Sequence, residues 1–225
     1  MAFADAVFDG RAGLEGVDAR LARDLPGVRA LFDSRQAIPV YVRPLGPLLE
    51  DIEPAVLVDA RMRKHSGPER QRGLADFTIG LGPSLIVGRH ADVVIETGWD
   101  GLGRVITDGA SQPLSGEPRD LDGRDRYVYA EANGTFRTRA RIGDLVRKGQ
   151  HVGEIEFATG AFYEVNAPLD GVLRGLTRSG VPVTVSTKIV EVDPRGERAE
   201  AHGIGERPRR IAEAVLSVVR ERAGG

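Results

Sequence analysis

Between residues 59 and 65 the chain gathers one acid and four groups able to carry positive charge: Asp59, Arg61, Arg63, Lys64 and His65. Forked guanidinium groups beside a lysine suit a phosphate or carboxylate ligand. Gly80-Leu-Gly-Pro-Ser84 follows a short apolar run. Glycines at Gly80 and Gly82 would let backbone N–H groups approach an anion. This is not the G-x-G-x-x-G fingerprint, because position 85 is leucine and no helix pattern follows. Glu96 and Thr97 close another apolar run, and open α/β sheets present ligand groups at strand ends. Arg104 could join the same pocket. Asp59, Gly80, Gly82, Glu96, Thr97 and Arg104 are therefore the candidate ligand-binding residues, for an anionic pterin or nucleotide whose identity the sequence leaves open. Each has a plainer reading. The basic run can be a solvated loop of weak ion pairs, the glycines a strand-end turn, and Glu96 an exposed carboxylate.

Other chemistry finds less support. Asp92 and Glu96, four apart in a strand, would share a face about 13 Å apart, too far for a paired acid and base. His65, His90, His151 and His202 are scattered without metal-ligand spacing. Ser84, Ser111 and Ser115 lack a nucleophile elbow. There is no cysteine, which excludes disulfides, thiolate nucleophiles and cysteine-ligated metals. A catalytic role is less favoured than a non-catalytic one, and no catalytic residue is assigned.

These residues need elements to hold them. Residues 37–42 and 54–59 read as buried strands, with Leu48, Leu49 and Ile52 at helical spacing between them, which predicts a parallel βαβ unit. Residues 77–80 and 92–96 read as two further strands. The polar stretch 64–73 reads as a loop and 100–125 as a glycine-rich connector. Pro208 suits the first turn of a last helix, with Ile211, Val215 and Val218 as its apolar stripe. That stripe is expected to pack on the chain's own sheet rather than on a second copy.

Residues 130–194 repeat at a fixed offset of 37: Gly134 returns as Gly171, Arg141 as Arg178, Gly143 as Gly180, Val146 as Val183 and Glu154 as Glu191. Phe136/Leu173, Val152/Ile189 and Ile155/Val192 are conservative partners. Two such halves joined by a hairpin resemble the barrel-sandwich fold of biotinyl and lipoyl carrier domains. A carrier needs a lysine at the hairpin tip, here near 158–161. The three lysines are Lys64, Lys148 and Lys188, and none lies there. A structural or docking module is expected instead. The expected organisation is an α/β Rossmann-like parallel-sheet region over 1–125, a barrel-sandwich all-β domain over 126–196, and a C-terminal helix over 197–225.

Composition sets the outer bounds. The chain has 225 residues, 41% hydrophobic and 28% charged, which suits one large or two small globular domains. A net charge of −2 and 5% aromatics give no drive toward nucleic acid. No stretch approaches the roughly 20 apolar residues of a membrane span, and none has signal-peptide form. A cytoplasmic location is expected.

Residues Phe3 to Gly10, Val56 to Met62, Thr78 to Pro83, Asp92 to Thr97, Leu102 to Ile106 and the repeat ending at Glu191 to Arg195 occur in the order found in one family. Across nearly its whole length the chain resembles the YqeB-type accessory family associated with selenium-dependent molybdenum hydroxylases. The resemblance implies a further Rossmann-like segment with a Gly-rich turn ahead of these residues, so the chain reads as N-terminally shortened. It also implies an accessory or maturation role, with a molybdenum hydroxylase or its maturation machinery as partner. The alternatives are an enzyme acting on a nucleotide- or pterin-like substrate and a non-catalytic interaction scaffold. An open sheet edge would favour a homo-oligomer.

Overall fold

A computed structural model describes residues 2–63, 67–113, 124–196 and 201–224. It is a mixed α/β chain of several sheets that ends in a helix, and it divides into two compact units, Met1–Gly116 with Ile204–Gly225, and Glu117–Gly203. The run Lys64, His65 and Ser66, Ser115 and most of the expected connector's second half lie outside the described residues.

The first unit opens with a short helix α1 (Ala6–Asp9) and a hairpin, β1 (Arg11–Leu14) and β2 (Val17–Ala22). Helix α2 (Leu25–Ser34) follows, started by Asp24, whose carboxylate accepts from Gly27 N at 2.8 Å. It delivers β3 (Ile38–Tyr41) parallel to β2, giving sheet order β1-β2-β3. The βαβ crossover is therefore β2-α2-β3. This corrects the expected pairing of 37–42 with 54–59. Helix α3 (Leu45–Ile52) does fall between those strands, but β4 (Val56–Asp59) joins a different sheet. Local apolar runs name strands without naming their partners.

That second sheet has the order β4-β5-β6-β7, with β5 (Phe77–Leu81) and β6 (Val93–Ile95) parallel to β4 and β7 (Val105–Ile106) antiparallel. The strand β7 lies inside the stretch expected to be only a connector. Parallel strands bury both faces, and here the two covers differ. Ile79, Leu81, Val93 and Ile95 pack with Leu102 and with Ile211, Ala214 and Val218 of the last helix, α4 (Glu206–Ala223). Val94 and Ile106 pack with Leu85 and Ala91 of the irregular β5–β6 connection. The helix thus returns to the first unit rather than standing as a body of its own, and its stripe covers this sheet.

The second unit holds β8 (Tyr127–Tyr129), β9 (Gly134–Arg137), β10 (Leu145–Val146), β11 (His151–Glu156), β12 (Phe162–Asn166), β13 (Gly171–Leu176), β14 (Val181–Val183) and β15 (Lys188–Asp193). Adding 37 to β8 through β11 lands on β12 through β15 in turn. The sheets are β10-β13-β15-β8 and β14-β9-β11-β12, so the repeat converts one sheet into the other, and each draws two strands from each half. Both share one core, in which the repeat partners Phe136/Leu173, Val152/Ile189 and Ile155/Val192 are buried. Gly134 and Gly171 do the same work in each half. A Cβ on Gly134 would lie 2.5 Å from Glu156 O, and one on Gly171 would lie 2.2 Å from Asp193 O, two residues themselves related by the offset. Neither position can hold a side chain unless the strands part.

Candidate functional site

Because β4, β5 and β6 are parallel, their C-terminal ends fall on one edge of the sheet, with Asp59 beside Gly80 and Leu81 beside Ile95. The candidate residues from 59, 80–82 and 96–97 are thus on the edge where such sheets hold ligands. They divide there into two clusters.

The first is a small cleft lined by Asp59, Arg61, Met62, Arg63, Glu69, Gly82 and Pro83 among others. Asp59 is 15% exposed and takes both Arg61 Nε (2.8 Å) and Nη2 (2.7 Å), as well as the Arg61 backbone N–H at 3.1 Å. These hydrogen bonds hold its carboxyl below the usual range against the opposing effect of burial, and they raise Arg61 in turn. The bidentate grip leaves Arg61 Nη1 pointing to Glu69 Oε2 at 2.8 Å. Arg63 Nη1 meets the other oxygen of the same carboxylate at 2.7 Å. Met62, between the arginines, has φ +45°, and Ser84, beyond Gly82, has φ +59°. Left-handed backbone at ordinary residues costs energy and clusters at binding sites. Gly82 has φ +136°, and a Cβ there would meet Met62 Cα at 3.2 Å. It is glycine so that two backbones can pass. Gly80 has another reason: a Cβ would lie 2.9 Å from Leu85 Cδ1, beneath the irregular cover.

The second cluster is the turn after β6. Glu96 is buried, 1% exposed, rather than an open strand-end carboxylate. Its Oε1 accepts from Thr97 N and Gly98 N and its Oε2 from Gln112 N, each at 2.8 Å. Strand β6 ends before it, so Glu96 and Asp92 are not two groups on one strand face. Thr97 is buried, and its carbonyl accepts from Arg207 Nε (3.0 Å) and Nη2 (2.8 Å) of α4. Arg210 Nη2 donates to Leu102 O at 3.2 Å. Arg104 is exposed on the turn between β6 and β7 and does not line the Asp59 cleft. Of the six candidates, Asp59 and Gly82 meet in the cleft, Gly80 packs beneath it, and Glu96, Thr97 and Arg104 belong to the neighbouring turn.

Several residues that organise this edge carry no local sequence signal. Ser111 Oγ donates to Gly82 O (2.8 Å) and accepts from Leu85 N (2.9 Å), while Gln112 O accepts from Ser84 N (3.1 Å). Residues 111 and 112 therefore stitch the Gly82 turn to the Glu96 turn. Glu69 and Arg207 are likewise visible only once the chain has folded. Asp92 closes the opposite side of β5: burial disfavours its charge, but Thr78 and Arg72 outweigh this and lower its pKa. His90 Nδ1 accepts from Ile86 N at 2.8 Å, and burial with nearby Arg89 lowers its pKa, which favours neutral imidazole. Among the described residues no three His, Asp or Glu side chains are grouped to hold a metal. No helix among them is long and apolar enough to cross a membrane.

In the second unit the hairpin between β11 and β12 closes with Phe157 N on Ala161 O at 2.8 Å, so its tip is Ala158, Thr159 and Gly160. Lys148 sits in the β10–β11 turn and Lys188 opens β15, 3.0 Å from Glu191.

No protein-family model matches the chain. It is 38% identical over 224 residues to the Escherichia coli (strain K12) protein named Uncharacterized protein YqeB, a match covering 97% of this chain and 40% of that protein. The chain thus spans about two fifths of the length of the curated relative it matches. Among solved structures it is similar to a succinylglutamatedesuccinylase/aspartoacylase from Rhodobacter sphaeroides, at 24% identity, TM-score 0.29, and coverage of 37% of this chain and 29% of that one. The apo Ectoine utilization protein EutE (DoeB) from Ruegeria pomeroyi matches at 16% identity, TM-score 0.30, with 51% and 46% covered. Likeness at this level carries no argument about the chain. The relationship that stands is the sequence match along almost every residue, and by it the chain belongs to the YqeB-type family.

Proposed function

We propose that the chain is an accessory or maturation component for a molybdenum hydroxylase, holding an anionic cofactor or precursor at the strand-end cleft and offering its repeat unit to a partner. The observation that carries the ligand-binding part is the meeting of two adjacent parallel strand ends, those of β4 and β5, at a cleft where Arg61 and Arg63 present guanidinium groups beside the Gly82 turn. A pterin or nucleotide with a phosphate is the ligand class this chemistry suits. The partner assignment rests on the family resemblance. In this reading the first unit is Rossmann-like in use, with its ligand at the carboxyl edge of a parallel sheet. The second is a barrel-sandwich module without a carrier lysine, which leaves docking rather than acyl transfer as its role. We place the protein in the cytoplasm, with homo-oligomerisation an expectation of its open sheet edges.

The test is deletion of the gene in a host that makes a molybdenum hydroxylase. Hydroxylase activity should fall while the apoprotein still accumulates. Unchanged activity would overturn the maturation role.

A further inference from the structure

Resting on the anion-binding reading, we propose that Glu69 is a placeholder: its carboxylate occupies a two-oxygen seat between Arg61 and Arg63, and a ligand phosphate or carboxylate takes that seat by displacing it. Both oxygens of Glu69 are engaged, each by the Nη1 of a different arginine, at 2.8 and 2.7 Å. The two donors are thus spaced for two oxygens on one central atom, as a carboxylate or a phosphoryl group provides.

The two carboxylates that grip Arg61 differ in how firmly they are held. Asp59 is 15% exposed, binds the Nε/Nη2 edge and also accepts a backbone N–H. Glu69 is 48% exposed and is held through Arg61 and Arg63 side chains that are 41% and 40% exposed. Exposed pairs of that kind contribute little and exchange readily with other anions. Asp59 therefore works as a positioning residue that aims Arg61 Nη1, and Glu69 as the exchangeable occupant. Met62, with φ +45° and its Cα against Gly82, lies between the two arginines. No bond is made or broken; one oxyanion replaces another.

Calorimetric titration of the full chain with inorganic pyrophosphate, inorganic phosphate and succinate tests this, with circular dichroism as the control for folding. Glu69→Gln should bind the preferred probe about threefold tighter than the unmodified chain, because an internal competitor held by a weak exposed pair is gone. Adding Arg63→Gln should cancel that gain. Preference for pyrophosphate over succinate would assign a phosphoryl ligand, and the reverse a carboxylate. If the unmodified chain binds a probe and folded Glu69→Gln binds it no tighter, the placeholder idea fails while the anion-binding cleft stands. If no variant binds any of the three, both fail.

Discussion

Two carboxylates on one edge of the β4–β7 sheet are satisfied in opposite ways. Glu96 is buried and takes three backbone N–H groups from its own turn and from residue 112. Glu69 is half exposed and, among the described residues, takes arginine side chains. Backbone donors cannot turn away, so a carboxylate they hold is part of the scaffold. Side-chain donors on mobile arms can be shared with a ligand. The nature of the donors, more than charge or position at a strand end, separates the group that builds the edge from the group that can yield a seat on it.

The largest expected effect belongs to the buried member. Glu96→Ala strips the acceptor from three N–H groups and should lower unfolding stability by about 3 kcal/mol, measured by chemical denaturation. Glu96→Gln should cost less, about 2 kcal/mol, because one amide oxygen remains but its NH2 must face a backbone donor. A loss below half a kilocalorie for Glu96→Ala would dissolve the contrast. Next comes the clamp from α4: Arg207→Ala removes two hydrogen bonds to Thr97 O and should cost about 1–2 kcal/mol in the same assay. Glu69→Gln sits at the other pole and should change stability by no more than about 0.5 kcal/mol.

The smallest expected effect concerns pH. Asp59 is held below its unfolded pKa by Arg61, so its contribution is present above about pH 4 and is lost as pH falls through the lower folded value. Asp193, lowered by Arg195, and Asp92 act in the same direction. Asp59→Asn should therefore make the loss of stability below about pH 4 less steep without abolishing it, as read by thermal melts across the acid range.

How much of this was legible depended on whether the cause was local. The repeat was plain because strand packing forbids a side chain at Gly134 and again at Gly171, which stamps the offset into the sequence. The last helix was plain because Ile211 and Val218 face one sheet. Strand β2 left little trace: only Ala19 and Ala22 are buried on it, so its apolar alternation is faint. The choice of β2 rather than β4 as the partner of β3 is non-local and invisible to any window. At the edge, Asp59 and Gly82 are legible because acid, arginines and glycine sit near strand ends. Glu96 stands out by its position after an apolar run, but its burial depends on Gln112, sixteen residues on. Glu69 leaves no mark in the sequence, because a lone glutamate in a polar loop carries no pattern.

The most direct test of the account is nuclear magnetic resonance of the arginine side chains during titration with inorganic pyrophosphate. The Nε–H resonances of Arg61 and Arg63 should shift saturably, while those of Arg207 and Arg210, fixed on backbone carbonyls, should stay in place. Saturable shifts at Arg207 and Arg210 with none at Arg61 or Arg63, or linear drift of every arginine alike, would contradict the assignment of the strand-end cleft as the ligand site.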